Sequence, residues 1–274
     1  MTVAKLSEVS LEYFERGHGP ETVVFVHGFS ASARIWHEAQ KGLPEDRYRT
    51  VAVNNRGAGG SDAPPDESDF VITKFAGDLH ELVVQLGLKD FTLVGHSMGG
   101  LTAMQFAVDH PGLAKALLLL DPAAPDGPDL PDEKIEKVID SGTEARRAAA
   151  ERAEEPRGLD AGPARFDPEA YRLLMADVKA APERRLRGSM RAMMKSRIGD
   201  RVSALPMPIL LAAGDRDAVL PLAGMLDTWR KLPKGSGLHV WHDVGHSPNV
   251  ECPDEFVALL RHFVEVTVPA RARR

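Results

Sequence analysis

Short runs of β-branched and apolar residues recur along the chain at 22–26, 50–53, 91–94, 116–120, 208–212 and 238–241, most of them followed at once by Gly, His, Asn or Asp. Runs this short and this apolar have the pattern of strands buried on both faces of a parallel sheet. Between most of them the apolar positions fall at helical spacing, over 72–86, 101–108 and 222–231, and a closing amphipathic stretch covers 253–266. Strand alternating with helix predicts right-handed βαβ units and an α/β fold whose parallel sheet is covered on both sides. Residues 9–14 predict an antiparallel edge strand at the start.

The rhythm breaks over 122–206, where no strand-like run occurs and charged helix formers dominate. This stretch predicts a helical insertion, so the chain divides into a core of 1–121 with 207–274 and a helical lid of 122–206. Ten acids and five bases occupy 126–155, whereas seven bases and two acids occupy 183–201. Two solvated helix faces satisfy that pattern, and so does pairing of the two halves within the lid. Residues 270–274 read as a frayed basic tail.

Composition narrows the function classes. With 34 Lys and Arg against 40 Asp and Glu the formal charge is −6, without the basic excess of a nucleic-acid binder. The single cysteine, Cys252, excludes an intramolecular disulfide framework and a cysteine-based zinc site. No stretch approaches the roughly 20 apolar residues of a membrane span, and the first residues carry no apolar leader core. The chain therefore reads as cytoplasmic by default, and nothing in its size or composition stands against an enzyme with a small-molecule substrate.

Gly95-His96-Ser97-Met98-Gly99 follows one predicted strand and precedes a helix, which is the context a G-x-S-x-G nucleophile turn requires. A serine on so sharp a turn takes a strained backbone, and its neighbours two residues away must lack bulk. Its hydroxyl needs a base, and the base needs an acid to hold its tautomer. His246 follows the strand at 238–241 and Asp217 follows the strand at 208–212, both at the carboxyl edge of the sheet. The chain order Ser97, Asp217, His246 is the one this architecture uses. Asp121, at the end of the run 116–120, is the alternative acid, and Asp215 competes through its place in the same loop as Asp217. His239, His242 and His246 do not make a metal site by spacing, because in a strand the first two point to opposite faces. Gly57-Ala58-Gly59 lacks the third glycine of a dinucleotide fingerprint, with Asp62 in its place. No cofactor is expected.

Taken together, these motifs resemble the α/β-hydrolase superfamily over about 23–264. His27-Gly28-Phe29 is similar to the family's oxyanion loop, Arg56-Gly57-Ala58-Gly59-Gly60-Ser61 to its R-G-x-G-x-S loop, Gly214–Asp217 to its G-x-x-D loop and Gly245-His246 to its G-H loop. The resemblance implies a mostly parallel eight-stranded sheet with a helical cap inserted after the sixth strand. It also implies Ser97 as nucleophile, Asp217 as acid, His246 as base, and the backbone N–H groups of Phe29 and Met98 as the oxyanion hole. In some relatives an acid at the position of Asp121 serves the histidine instead. The sequence departs from the common pattern at Asn54-Asn55, where an acid usually precedes Arg56.

The expected activity is hydrolysis of a carboxylic ester or lactone through an acyl-enzyme. Haloalkane dehalogenases and epoxide hydrolases carry an aspartate where Ser97 stands, which sets them apart. A C–C bond hydrolase for β-diketone acids, a cofactor-free peroxidase that makes peracids and an aminopeptidase use a similar triad. A non-catalytic ligand-binding protein of the same fold is the reading from another class. Trp36, Arg191, Met194 and Arg197 are candidate substrate-binding residues, the two arginines as cations that would face a carboxylate.

Overall fold

The six apolar runs join two strands that precede them in a single sheet of eight: β1 (Thr2–Lys5), β2 (Ser10–Arg16), β3 (Glu21–Val26), β4 (Tyr48–Val53), β5 (Phe91–His96), β6 (Ala114–Leu120), β7 (Ile209–Gly214) and β8 (Gly237–Trp241). They belong to a computed structural model that describes residues 1–152 and 168–269; the tail at 270–274 lies outside the described residues. The order across the sheet is β1-β2-β4-β3-β5-β6-β7-β8. The β1–β2 and β2–β4 pairs are antiparallel and all the others parallel. β1 is the strand that the hydrophobic pattern does not predict: of its four residues only Ala4 is buried, so no apolar run marks it.

Helices cover both faces: α1 (His37–Gly42), α2 (Ile72–Gln85), α3 (Met98–Asp109), α4 (Asp132–Arg152), α5 (Pro168–Ala180), α6 (Glu183–Lys195), α7 (Gly199–Val202), α8 (Leu222–Lys231), α9 (Pro248–Glu251) and α10 (Pro253–His262). Successive strand residues feed opposite cores, as the period of two requires. Val24, Val26, Leu93, Leu117 and Leu119 pack with Phe75, Leu79 and Leu101 of α2 and α3. Val23, Phe25, Val94, Leu118 and Leu120 pack with Trp36, Ala39, Phe256 and Leu260 on the other face. That double burial explains why these strands read as continuous apolar runs. No helix among the described residues is long and apolar enough to cross a membrane.

The chain runs from β3 to β4 on one side of β3 and then to β5 on its other side. The reversal opens a crevice beyond the carboxyl ends of β3 and β5, where ligands bind in sheets of this kind. Between β6 and β7 the described residues form α4 to α7. The oppositely charged α4 and α6 meet there: Arg191 grips Glu136 through Nε–Oε1 at 2.8 Å and Nη2–Oε2 at 2.5 Å, Arg187 reaches Asp140 at 2.5 Å and Lys195 reaches Asp132 at 3.1 Å. Each such exposed pair contributes little alone.

One ion pair is of a different kind. Arg56, 1% exposed, takes Asp78 in a fork, Nε to Oδ2 at 2.7 Å and Nη2 to Oδ1 at 2.6 Å. It joins the loop after β4 to α2 and donates as well to the Asp69 carbonyl. Removing Asp78 leaves the buried Arg56 charge with only the half-exposed Glu8 as an acidic partner, at 3.2 Å. Asp78→Ala is therefore expected to lower the unfolding free energy by about 3–5 kcal/mol in urea denaturation, whereas Glu133→Ala, which breaks an exposed pair with Lys137, should cost under about 1 kcal/mol.

Candidate active site

Ser97 stands between β5 and α3 with φ +54° and ψ −120°, a region that side-chain-bearing residues enter only under constraint. The constraint is a lack of room. A Cβ on Gly95 would lie 2.3 Å from the Gly99 carbonyl, and one on Gly99 would lie 2.3 Å from the Val26 carbonyl. The turn is pinned by Ser97 N–H donating to the Leu120 carbonyl at 2.9 Å, while the N–H groups of Gly100 and Ala123 each donate to the Ser97 carbonyl at 2.9 Å. Such a backbone costs on the order of 1–3 kcal/mol, supplied by the surrounding packing.

The loops after β7 and β8 bring Asp217 and His246 together, both 5% exposed. His246 Nδ1–H donates to Asp217 Oδ2 at 2.7 Å, and the N–H groups of Val219 and Leu220 donate to Asp217 Oδ1 at 2.7 and 2.8 Å. Burial pushes Asp217 upward, but the bond and charge of His246 and the two amides outweigh it and hold the carboxyl below its ordinary range. A carboxylate that sequence reasoning missed braces the histidine: Glu251 of α9 accepts from Gly245 N–H at 2.7 Å and Ser247 N–H at 2.9 Å, straddling His246. Its only sequence signal is an acid in the first turn after a Ser-Pro helix start.

Asp121, the alternative acid, carries φ +40° and is fully buried at the end of β6. Its Oδ1 accepts from Gly214 N–H at 3.1 Å, and its Oδ2 has no hydrogen bond among the described residues. Burial, and then the nearby Asp217 charge, push this carboxyl well above its usual range. Asp121, Asp217 and His246 bring one side-chain donor atom each within 4.8 Å of one another. With His246 Nδ1 bonded to Asp217, the trio is an acid–base pair beside a third carboxyl that burial pushes toward its protonated form. Asp215 is engaged elsewhere, at 2.7 Å from His242 Nδ1 and from Asp243 N–H.

Ser97 and His246 line one cleft with Phe29, Ile35, Leu174 and Arg146, enclosing about 60 Å³, room for a few water-sized groups. Among the described residues no hydrogen bond joins Ser97 Oγ to His246; such bonds commonly tighten only when substrate is present. Met98 opens α3, so its N–H has no carbonyl one turn earlier. Among the described residues no acceptor meets the Phe29 N–H. His96 Nε2–H donates to the His246 carbonyl at 2.8 Å, and His27 receives the Asn55 N–H at 3.0 Å. Burial drives both imidazoles down to about 3, so they are neutral supports. Asn54 accounts for the departure in that loop: its Oδ1 accepts from Ala33 N–H at 2.7 Å and its Nδ2 donates to Glu12 at 2.5 Å.

The four candidate substrate-binding residues lie elsewhere. Trp36 is fully buried, stacked on Phe25 at 4.9 Å between ring centres. Arg191 is consumed by Glu136 and Glu67, and Arg197 by the carbonyls of Met194, Ser196 and Pro128. Met194 lies with its backbone against Gly127. The cation that faces the cleft is Arg146 of α4, which has no hydrogen-bond or ion-pair partner among the described residues.

Comparison with known proteins agrees with this architecture. The family model described as the alpha/beta hydrolase fold matches residues 21–253. A fluoroacetate dehalogenase from a Burkholderia species is 34% identical over 119 residues, 42% of this chain and 38% of that relative, so the match spans well under half of the relative's length. A solved structure described as an N-acyl homoserine lactone degrading enzyme is 28% identical with a TM-score of 0.80, over 96% of this chain and 100% of that one. A thermophilic esterase from Thermogutta terrifontis is 27% identical with a TM-score of 0.76, over 97% of this chain and 96% of the other. With the eight-stranded sheet, its strained Ser97 turn and a family match from β3 to α10, the chain belongs to the alpha/beta hydrolase fold family.

Proposed function

We propose that the protein is a serine hydrolase that cleaves a carboxylic ester or lactone through an acyl-enzyme. The observation that carries this reading is the 2.7 Å bond from His246 to a low-lying Asp217 at a cleft that also exposes Ser97. Ser97 Oγ attacks the acyl carbon and its proton passes to His246 Nε2, while Asp217 holds the imidazole's other N–H and stabilises its charge. The carbonyl oxygen becomes an oxyanion held by the N–H groups of Phe29 and Met98, donors that meet charge only in the transition state. Collapse breaks the bond to the leaving oxygen, which takes the proton from His246. Water then attacks the acyl-enzyme with His246 again as base, and the acid leaves. Residues 122–206 act as a cap on the core formed by 1–121 and 207–274, with α4 and α5 lending Arg146 and Leu174 to the cleft.

Against dehalogenation stands the residue itself: a serine at position 97 forms an acyl ester, whereas dehalogenation on this fold uses an aspartate there. A second reading, C–C bond hydrolysis of β-diketone acids, draws on Arg146, a cation without a partner among the described residues, in a cleft whose described lining holds no carboxylate. Arg146→Gln is expected to raise KM about tenfold for an ester bearing a distal carboxylate and to leave a neutral ester unchanged. Equal KM values for both esters in wild type and variant remove the support for that reading.

A fluorophosphonate probe should label Ser97, located by peptide mass spectrometry. Ser97→Ala should abolish labelling and lower p-nitrophenyl acetate turnover by at least about ten-thousandfold; full turnover without Ser97 contradicts the mechanism. The acid is tested by a pair of variants. Asp217→Asn should cost on the order of a thousandfold to ten-thousandfold in kcat by favouring the wrong tautomer. Asp121→Asn, which keeps the side chain's size and removes its charge, should retain activity. A carboxyl with a raised folded-state pKa binds its proton more tightly in the native state, so its contribution to stability is present below about pH 4 and is lost as pH rises. Asp121→Asn should therefore gain stability relative to wild type as pH rises above about 4, read as melting temperature.

A further inference from the structure

Arg185 of α6 is a buried cation outside the catalytic groups, 1% exposed, with no ion-pair partner among the described residues. Burying an uncompensated charge is costly unless dipoles surround it. Here the dipoles are three backbone carbonyls: Nη2 donates to Phe29 O at 3.1 Å and Ala31 O at 2.9 Å, and Nη1 donates to Gly57 O at 3.3 Å. Burial lowers its pKa to about 10, which leaves it charged at neutral pH. Two of these carbonyls belong to the loop after β3 that carries the Phe29 N–H, and the third to the loop after β4. Gly57 is shaped for the arginine: it has φ +76°, and a Cβ there would lie 2.9 Å from Arg185 Cδ. The R-G-x-G motif thus makes room for a side chain that arrives from the insertion. Farther along the same loop, Asp177 of α5 accepts from Ser32 Oγ at 2.5 Å and pairs with Arg34 at 3.3 Å.

We propose that Arg185 is a positioning residue for the oxyanion loop: by clamping the carbonyls of Phe29 and Ala31, the helical insertion holds the Phe29 N–H in register with Ser97. The inference rests on the acyl-enzyme reading above, in which that N–H meets the oxyanion. A donor used only in the transition state contributes to kcat and not to ground-state binding. Misplacing it should lower kcat with KM unchanged and weaken a tetrahedral mimic in step, a combination that general loss of folded protein does not produce.

The test uses the full chain with p-nitrophenyl acetate as substrate and a trifluoromethyl ketone as the tetrahedral mimic. Arg185→Lys keeps the charge but cannot span three carbonyls. It is expected to melt cooperatively, keep KM within about twofold, and lose on the order of 10- to 100-fold in both kcat and affinity for the ketone. Arg187→Lys, on the same helix and paired with the exposed Asp140, should match wild type. A cooperatively melting Arg185→Lys with wild-type kcat and ketone affinity overturns the inference, as does a loss of activity that tracks only the unfolded fraction. Should Arg185→Lys fail to fold, Arg185→Met is measured in the same way: the same paired loss supports the clamp, and wild-type kcat and ketone affinity overturn it. Wild-type turnover that survives Ser97→Ala is a different failure: it defeats the acyl-enzyme reading and this inference with it.

Discussion

The structure depends on a turn too tight for side chains on its flanks. Ser97 takes φ +54° because β5 passes directly into α3, and the Gly95 and Gly99 positions press against carbonyls at distances no Cβ tolerates. Backbone bonds from Leu120 and Ala123 tie the turn to the neighbouring strand β6 and the residues after it. Strain of this kind persists only when the surroundings over-determine it, and here the central strands of the sheet supply that rigidity. The turn aims the serine into the crevice that the strand order opens and leaves the first amide of α3 without an acceptor among the described residues.

Around that fixed point the other groups differ mainly in how they tolerate burial. Asp217 stays ionised because His246 and two amides replace the water it loses. Asp121, with one amide and a negative neighbour, is pushed toward the neutral form. His27 and His96 are kept neutral by burial and serve as fixed hydrogen-bonding posts. Arg185 remains charged on carbonyl dipoles. Asp217 is thus the anion, His27 and His96 the neutral posts, Asp121 the carboxyl driven toward its proton and Arg185 the retained cation, each following from its immediate partners.

What was legible in the sequence is what local chemistry specifies. The buried strands were readable because both of their faces are apolar, and the places of Ser97, Asp217 and His246 were readable because each occupies a loop at a strand's carboxyl end. The antiparallel β1 was not, since three of its four residues are exposed. The described lining of the cleft was not legible for a related reason. Trp36, Arg191, Met194 and Arg197 have suitable chemistry, but the direction of a helical side chain depends on how the helix docks. Arg146 and Arg147 are adjacent in α4, yet Arg147 turns to Glu183 at 3.5 Å while Arg146 faces the cleft. A helix turns about 100° per residue, so neighbours in sequence acquire unrelated roles once a partner helix is chosen. Glu251 and Arg185 escaped notice because the partners that matter are backbone groups, which leave no mark in a side-chain pattern.

The central claim is that the strained serine carries the acyl group in mid-reaction. Its most direct test is intact-mass and peptide mapping of protein quenched in acid during turnover of p-nitrophenyl acetate. One acetyl group on the peptide bearing Ser97, absent after the substrate is exhausted, is the expected result. Turnover with no acetyl adduct, or with the adduct on another residue, contradicts the account.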